Sequence, residues 1–125
     1  GNGPAFCSGG DLSQFGTTPD PVTAHAARTS RSPGLLLHQL GATARVHGAC
    51  VGAGIELPAF CTRVVAAAGT TFRLPEVAMG LVPGAGGTAS ILARIGRQRT
   101  AYLALSGRPL PVPVALEWGL VDEVE

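Results

Sequence analysis

The sequence predicts an α/β fold with parallel strands, and three observations carry that prediction. Short apolar stretches over residues 43–47 and 63–68 alternate with stretches of helical character. Such alternation places parallel strands beside the helices that connect them. Two apolar pieces run directly into glycine loops, at residues 8–11 and 52–54, and glycine lets the backbone turn with positive φ or pass close to a ligand. Helix start and stop signals punctuate the remainder: Asp20-Pro21 and Pro75-Glu76 at starts, Gly96 and Gly107 at ends. Proline suits a first helical position, an acid suits the positive end of the helix dipole, and glycine closes a helix in the left-handed conformation.

In chain order, Gly1-Asn2-Gly3-Pro4 is a turn, residues 5–7 are a short apolar piece, and residues 8–12 form the first glycine loop. A helix is expected over 22–32, broken by Pro33-Gly34 and resumed over 35–40. A strand over 43–47 leads into the run Val46-His47-Gly48-Ala49-Cys50-Val51-Gly52-Ala53-Gly54-Ile55-Glu56-Leu57. A helix follows over 54–61, with Pro58 tolerable only near its first turn. A strand over 63–68 is closed by Gly69, and Pro75-Glu76 opens another helix. The second glycine loop spans 80–87, helices are expected over 88–95, 97–105 and 112–118, and Leu120-Val121 with Val124 form a last strand.

Composition narrows the function. The 125 residues are 46% apolar and only 14% charged, so much of the surface is expected to pack against more protein. A net charge of +1 gives no electrostatic case for nucleic acid or an anionic membrane. No apolar run reaches membrane-spanning length, no secretory pattern opens the chain, and a cytoplasmic location is expected. Cys7, Cys50 and Cys61 are odd in number and lack C-x-x-C spacing, which supports neither a zinc site nor a disulfide framework. They are expected to be small buried hydrophobes. His25, His38 and His47 share no metal-ligand spacing, so no metal is expected. His47 reads as a strand-end residue, and Arg94, Arg97 and Arg99 as a solvated helix face.

The familiar glycine motifs fail in turn. A phosphate-binding loop needs a lysine, and all nine basic residues are arginine. Gly84-Ala85-Gly86-Gly87-Thr88-Ala89 fits a loose dinucleotide fingerprint, but Pro83 precedes it and no acid lies about twenty residues on. No G-x-S-x-G elbow occurs. What remains is a pair of glycine loops whose backbone N–H groups could converge on one oxygen, and two glutamates, Glu56 and Glu76, each at a predicted helix start after an apolar stretch. A carboxylate among Ile55, Leu57 and Phe60 is costly to bury. Its plain explanations are a salt bridge or the helix dipole.

Four motifs in register make the chain recognisable: Ala5-Phe6-Cys7-Ser8-Gly9-Gly10-Asp11-Leu12, the run from His47 to Leu57, Phe72-Arg73-Leu74-Pro75-Glu76-Val77, and Gly80-Leu81-Val82-Pro83-Gly84-Ala85-Gly86-Gly87-Thr88. With Trp118-Gly119-Leu120-Val121 they resemble the enoyl-CoA hydratase (crotonase) superfamily along nearly the whole chain. The resemblance implies a repeated ββα superhelix, of which residues 1–125 are an internal part of one domain, without the opening strands and terminal helices. It implies backbone N–H groups of Gly10 and Ala53 as an oxyanion hole for an acyl-CoA thioester, with Glu56 and Glu76 at the two catalytic positions. Ser8, Gly9, Asp11, Gly52, Gly54, Pro83 and Gly84 would contact the substrate. No cofactor is implied beyond the coenzyme A of the substrate, and homo-trimers or hexamers are expected. Retention of both glutamates favours hydration of 2-enoyl-CoA. Enoyl-CoA isomerisation with Glu76 as the main base is the alternative within the family. A non-catalytic or NAD-binding α/β module is the alternative outside it. Arg63 departs from the family, which often has Asp there.

Overall fold

The computed structural model describes all of residues 1–125. The Asp20 side chain accepts the Thr23 N–H, and Pro21 opens α1 (Pro21–Ser30). Ser32 caps α2 (Pro33–Gln39) in the same way, accepting the Leu35 N–H. Pro33-Gly34 therefore starts the second helix instead of interrupting the first, because a first-turn proline removes only an N–H that has no partner within the helix. Gly34 is needed there for space: a Cβ on it would stand 2.4 Å from the Phe60 ring.

Then come β1 (Thr43–Val46), β2 (Ala49–Val51), a single helical turn α3 (Ala53–Glu56), a 3-10 turn Pro58–Phe60, β3 (Arg63–Ala66) and β4 (Thr71–Arg73). A second 3-10 turn, Glu76–Met79, precedes α4 (Gly87–Ser106), β5 (Leu110–Pro111), α5 (Val112–Trp118) and β6 (Glu123–Val124). The helix expected over 54–61 is thus split, Pro58 having no N–H to continue it. The two helices expected over 88–105 are both present, joined end to end within α4 at Gly96, whose φ of 77° and ψ of 169° are not helical.

The strands make two three-stranded sheets, ordered β1-β3-β6 and β2-β4-β5. All pairs are parallel except β4 with β5. Cys7 adds a parallel bridge to Cys50 beside β2. Leu120 and Val121 are not part of the last strand. Gly119 ends α5 in the left-handed conformation, and the N–H groups of both residues turn back to the Ala115 carbonyl. Their side chains are buried, and Glu123–Val124 does the pairing, opposite Val65 and Ala66.

One core holds the layers together. Ile55, Phe72 and Leu74 meet Ile91, Ile95 and Leu103 of α4, and full burial of such side chains stabilises by roughly 1.5–3 kcal/mol each. Arg94 belongs to this framework and not to a solvated face. Its side chain is 13% exposed and donates to the carbonyls of Ala59 and Cys61 at 3.0 and 2.6 Å and to the Asp122 carboxylate. Asp122 in turn accepts the Val64 N–H at 2.7 Å. Arg99 lies over the Trp118 ring, 5.5 Å from its centroid. Arg63, where the family often has an acid, pairs with Glu123 on the neighbouring strand. No helix is long and apolar enough to cross a membrane.

Candidate active site

Parallel pairing decides what meets what. Cys7, β2 and β4 lie side by side, in the order given by the Cys7–Cys50 bridge and the Cys50–Phe72 pairing. Their C-terminal ends therefore open at one edge, the side on which ligands bind in open α/β sheets. Residues 8–11 follow the first, Gly52 and α3 the second, Pro75 and Glu76 the third. The ladder continues past β2, since the Gly52 N–H donates to the Arg73 carbonyl at 2.9 Å. Gly52 sits at φ 54°, ψ −119°, a conformation open to glycine alone. A Cβ there would stand 2.8 Å from Glu76 Oε1 and 3.8 Å from the Gly9 Cα. The two glycine loops and Glu76 are thus brought to one place.

Neither the Gly10 nor the Ala53 N–H donates a hydrogen bond within the chain. Ala53 is the first residue of α3, where a helix leaves its amides without partners. Both predicted donors are free, next to the turns that carry the acids.

Glu56 is 2% exposed. Its Oε2 accepts the N–H of Ala85 at 2.8 Å and of Gly87 at 2.7 Å. The 80–87 loop, rejected above as a phosphate cradle, is an anion cradle all the same, and the anion is the chain's own carboxylate. Unpaired amides at the start of α4 supply the donors, and Gly87 permits the approach, since a Cβ would lie 2.6 Å from Glu56 Cγ. Burial pushes the Glu56 carboxyl above its ordinary value. The Gly87 amide pulls it back, the nearby Glu76 charge raises it further, and the Ala85 amide lowers it. Its Oε1 has no hydrogen bond. Glu76, half-buried, places Oε2 out of solvent with no partner at all.

The other predicted contact residues divide. Ser8 and Gly84 are exposed, and Gly9 is half-buried at φ 114°. The Asp11 carboxylate caps the short turn Leu12–Gln14, and the Ser13 hydroxyl and N–H hold it below its usual value. Gly54 and Pro83 are buried in the chain. A Cβ on Gly54 would lie 2.5 Å from the Cys7 carbonyl oxygen, so Gly54 lets α3 dock on the first loop. Behind Ala53 an apolar cleft of about 430 Å³ is lined by Phe6, Cys7, Leu37, Ala44 and Leu57 among others. A cleft of about 500 Å³ at the Gly96 bend, between Arg97 and Arg99, shares no residue with the glutamate-bearing turns.

His47 is a strand-end residue, its Nε2 2.9 Å from the Gly3 carbonyl. Cys50 and Cys61 are buried and Cys7 partly so. Sequence reasoning missed the groups that hold Glu56: the amides of Ala85 and Gly87, and the Ser90 hydroxyl, which donates to the Glu56 carbonyl at 2.8 Å. The available signal was a glycine run ending at a helix start, with no lysine for a phosphate.

The family model for enoyl-CoA hydratase/isomerase matches residues 1–125. The chain is 33% identical over 124 residues to 2,3-dehydroadipyl-CoA hydratase of Escherichia coli, covering 99% of this chain and 49% of that protein. It is 36% identical over 129 residues to mevalonyl-coenzyme A hydratase of Aspergillus fumigatus, covering 99% and 47%. It thus spans about half the length of the curated relatives it matches. Among solved structures, enoyl-CoA hydratase from Thermoplasma volcanium superposes with a TM-score of 0.89 at 31% identity, over 99% of this chain and 51% of that one. The enoyl-CoA hydratase of Mycobacterium smegmatis gives 0.85 at 28%, over 98% and 48%. With this fold, these strand ends and a match along its whole length, the chain belongs to the enoyl-CoA hydratase/isomerase (crotonase) family.

Proposed function

We propose that this chain carries the reacting centre of an enzyme that hydrates 2-enoyl-CoA thioesters to 3-hydroxyacyl-CoA. The observation that carries the reading is the shared strand edge, where the turns after Cys7, β2 and β4 bring two free amides and two glutamates together. The hydratase names of the curated relatives support it.

In this mechanism the thioester oxygen accepts hydrogen bonds from the Gly10 and Ala53 amides. Negative charge grows on that oxygen as water adds, and one such donor is worth roughly 3–4 kcal/mol of transition-state stabilisation. Glu56 orients a water and takes its proton while the oxygen bonds to C3. Glu76 gives a proton to C2. Water is consumed, and returning the Glu56 proton to Glu76 resets the pair. Ser8, Gly9 and Gly84 would contact the substrate, and Gly52, buried beneath them, would let the two loops approach. Assembly as a homo-trimer or hexamer in the cytoplasm belongs to the same reading.

The test is Glu56→Gln and Glu76→Gln with crotonyl-CoA hydration as the assay. Loss of roughly 10²–10⁴ in rate is expected for each, and full activity in both variants ends the proposal. The unpartnered Glu76 Oε2 favours a second reading, a Δ3,Δ2 double-bond shift with Glu76 as base. Product analysis separates the two, since only hydration takes up water.

A further inference from the structure

Three hydrogen bonds join the start of α4 to α3. Two reach the Glu56 carboxylate from Ala85 and Gly87. The third runs from the Ser90 hydroxyl to the Glu56 backbone carbonyl at 2.8 Å, and Ser90 is only 4% exposed. In a longer helix that carbonyl would accept the N–H of residue 60. Here the Phe60 N–H goes to the Leu57 carbonyl at 3.0 Å, and the Cys61 N–H goes to that of Pro58. The last carbonyl of α3 therefore has no main-chain donor, and leaving such a group buried and unpaired is costly.

α3 is a single turn, Ala53–Glu56. The Ala53 amide and the Glu56 carbonyl are its two ends, and the Glu56 side chain leaves from the same end that Ser90 grips. With Oε2 occupied by two amides, Oε1 is the oxygen left without a hydrogen bond. Resting on the reading of Glu56 given above, we propose that Ser90 is a positioning residue for the reaction. Its hydroxyl clamps the end of α3, and so fixes together the free amide of Ala53 and the free carboxylate oxygen of Glu56. Ser90 touches neither substrate nor the carboxylate, so it acts only through the turn it holds.

The experiment compares Ser90→Ala with Ser90→Thr, which keeps a hydroxyl, in hydration of a short 2-enoyl-CoA. Thermal unfolding and the pH profile of kcat/KM are recorded for both. The alanine variant is expected to lose on the order of tenfold in kcat, short of the roughly 100-fold that a full ångström of misplacement costs. The limb of its pH profile that belongs to Glu56 should shift toward the ordinary carboxylate range, because a loosened turn admits water. The threonine variant should restore both. An alanine variant that stays folded with unchanged kcat and pH profile overturns the proposal, as does a folded threonine variant that restores neither. If the alanine variant fails to fold, the threonine variant decides alone: wild-type kcat and pH profile support the clamp, and a lowered kcat with an unmoved limb sinks it. Glu56→Gln run in parallel keeps the two readings apart. Full activity there removes the role of Glu56 itself, whereas its loss beside an unaffected Ser90→Ala removes only the role of Ser90.

Discussion

Glu56 and Glu76 reach the same edge of the molecule by the same route, each in a turn that follows a parallel strand, and they are held in opposite ways. Glu56 is enclosed, with two amides on Oε2 and a hydroxyl on its carbonyl. Glu76 stands on a 3-10 turn after Pro75, with Oε1 against Gly52 and a buried Oε2 that nothing satisfies. A buried charge needs donors, and the chain supplies them to one acid only. The difference does not lie in the residues around each glutamate. It lies about thirty residues after Glu56, in Gly84-Ala85-Gly86-Gly87, and it suits one acid to fixed work and the other to accepting whatever donor arrives.

The sharpest way to break this contrast is Gly87→Ala. The added Cβ would stand 2.6 Å from Glu56 Cγ, and the helix start behind it cannot retreat cheaply. Displacement of Glu56 should lower kcat for enoyl-CoA hydration by roughly 10²-fold, and an unimpaired variant would mean that the cradle does not matter to the chemistry. Gly52→Ala acts on the other acid. It forces a left-handed φ of 54° on alanine and meets Glu76 Oε1 at 2.8 Å. A stability loss of about 1–3 kcal/mol is expected from the strained backbone, with a drop in rate smaller than that of Gly87→Ala; chemical denaturation and initial rates measure the two.

A gentler change sharpens the comparison through pH. The folded-state value of Glu56 is raised above 4.5, first by burial. Between 4.5 and that raised value the folded chain binds more protons than the unfolded one, so this group makes stability fall as pH rises through the window. Above the window the cost of the buried charge persists. Glu56→Gln removes it, so the variant should have a higher Tm than the parent at neutral pH, with the gap closing below pH 4.5. A gap independent of pH would show that the amides fully compensate the charge. The smallest effect concerns the strands beneath both acids. Burial pushes the Cys50 thiol up to about 12 and raises that of Cys61. A thiol reagent at pH 8 should therefore label Cys7 first and the other two only on unfolding. Equal labelling of all three would mean that the first loop and β2 separate readily.

Much of the scaffold was legible in the sequence. The α5 boundaries, the Asp20 cap, the parallel arrangement and the placing of Glu56 in a helical turn follow from local signals, whereas Pro75-Glu76 opens a 3-10 turn where a helix is expected. Other features were hidden by brevity. β2 has three residues and β5 two, too few for periodicity to register. Leu120 and Val121 have strand-like side chains, but their amides are committed to the end of α5, which no pattern of apolar residues reveals. Arg94 looked like surface because it sits in a cluster of arginines. Only the fold brings the carbonyls of Ala59 and Cys61 within its reach. The cradle for Glu56 was not legible: without a lysine the 80–87 glycines failed as a phosphate loop, and only topology brings the chain's own carboxylate to their amides.

Cys50 stands opposite Phe72 in the β2–β4 ladder, and both side chains are sealed inside the core. Sliding one strand by a single residue would turn its own member of that pair outward. The spacing between the two acids is thus calibrated by greasy residues in the strands that carry them, and repacking Phe72 would change it.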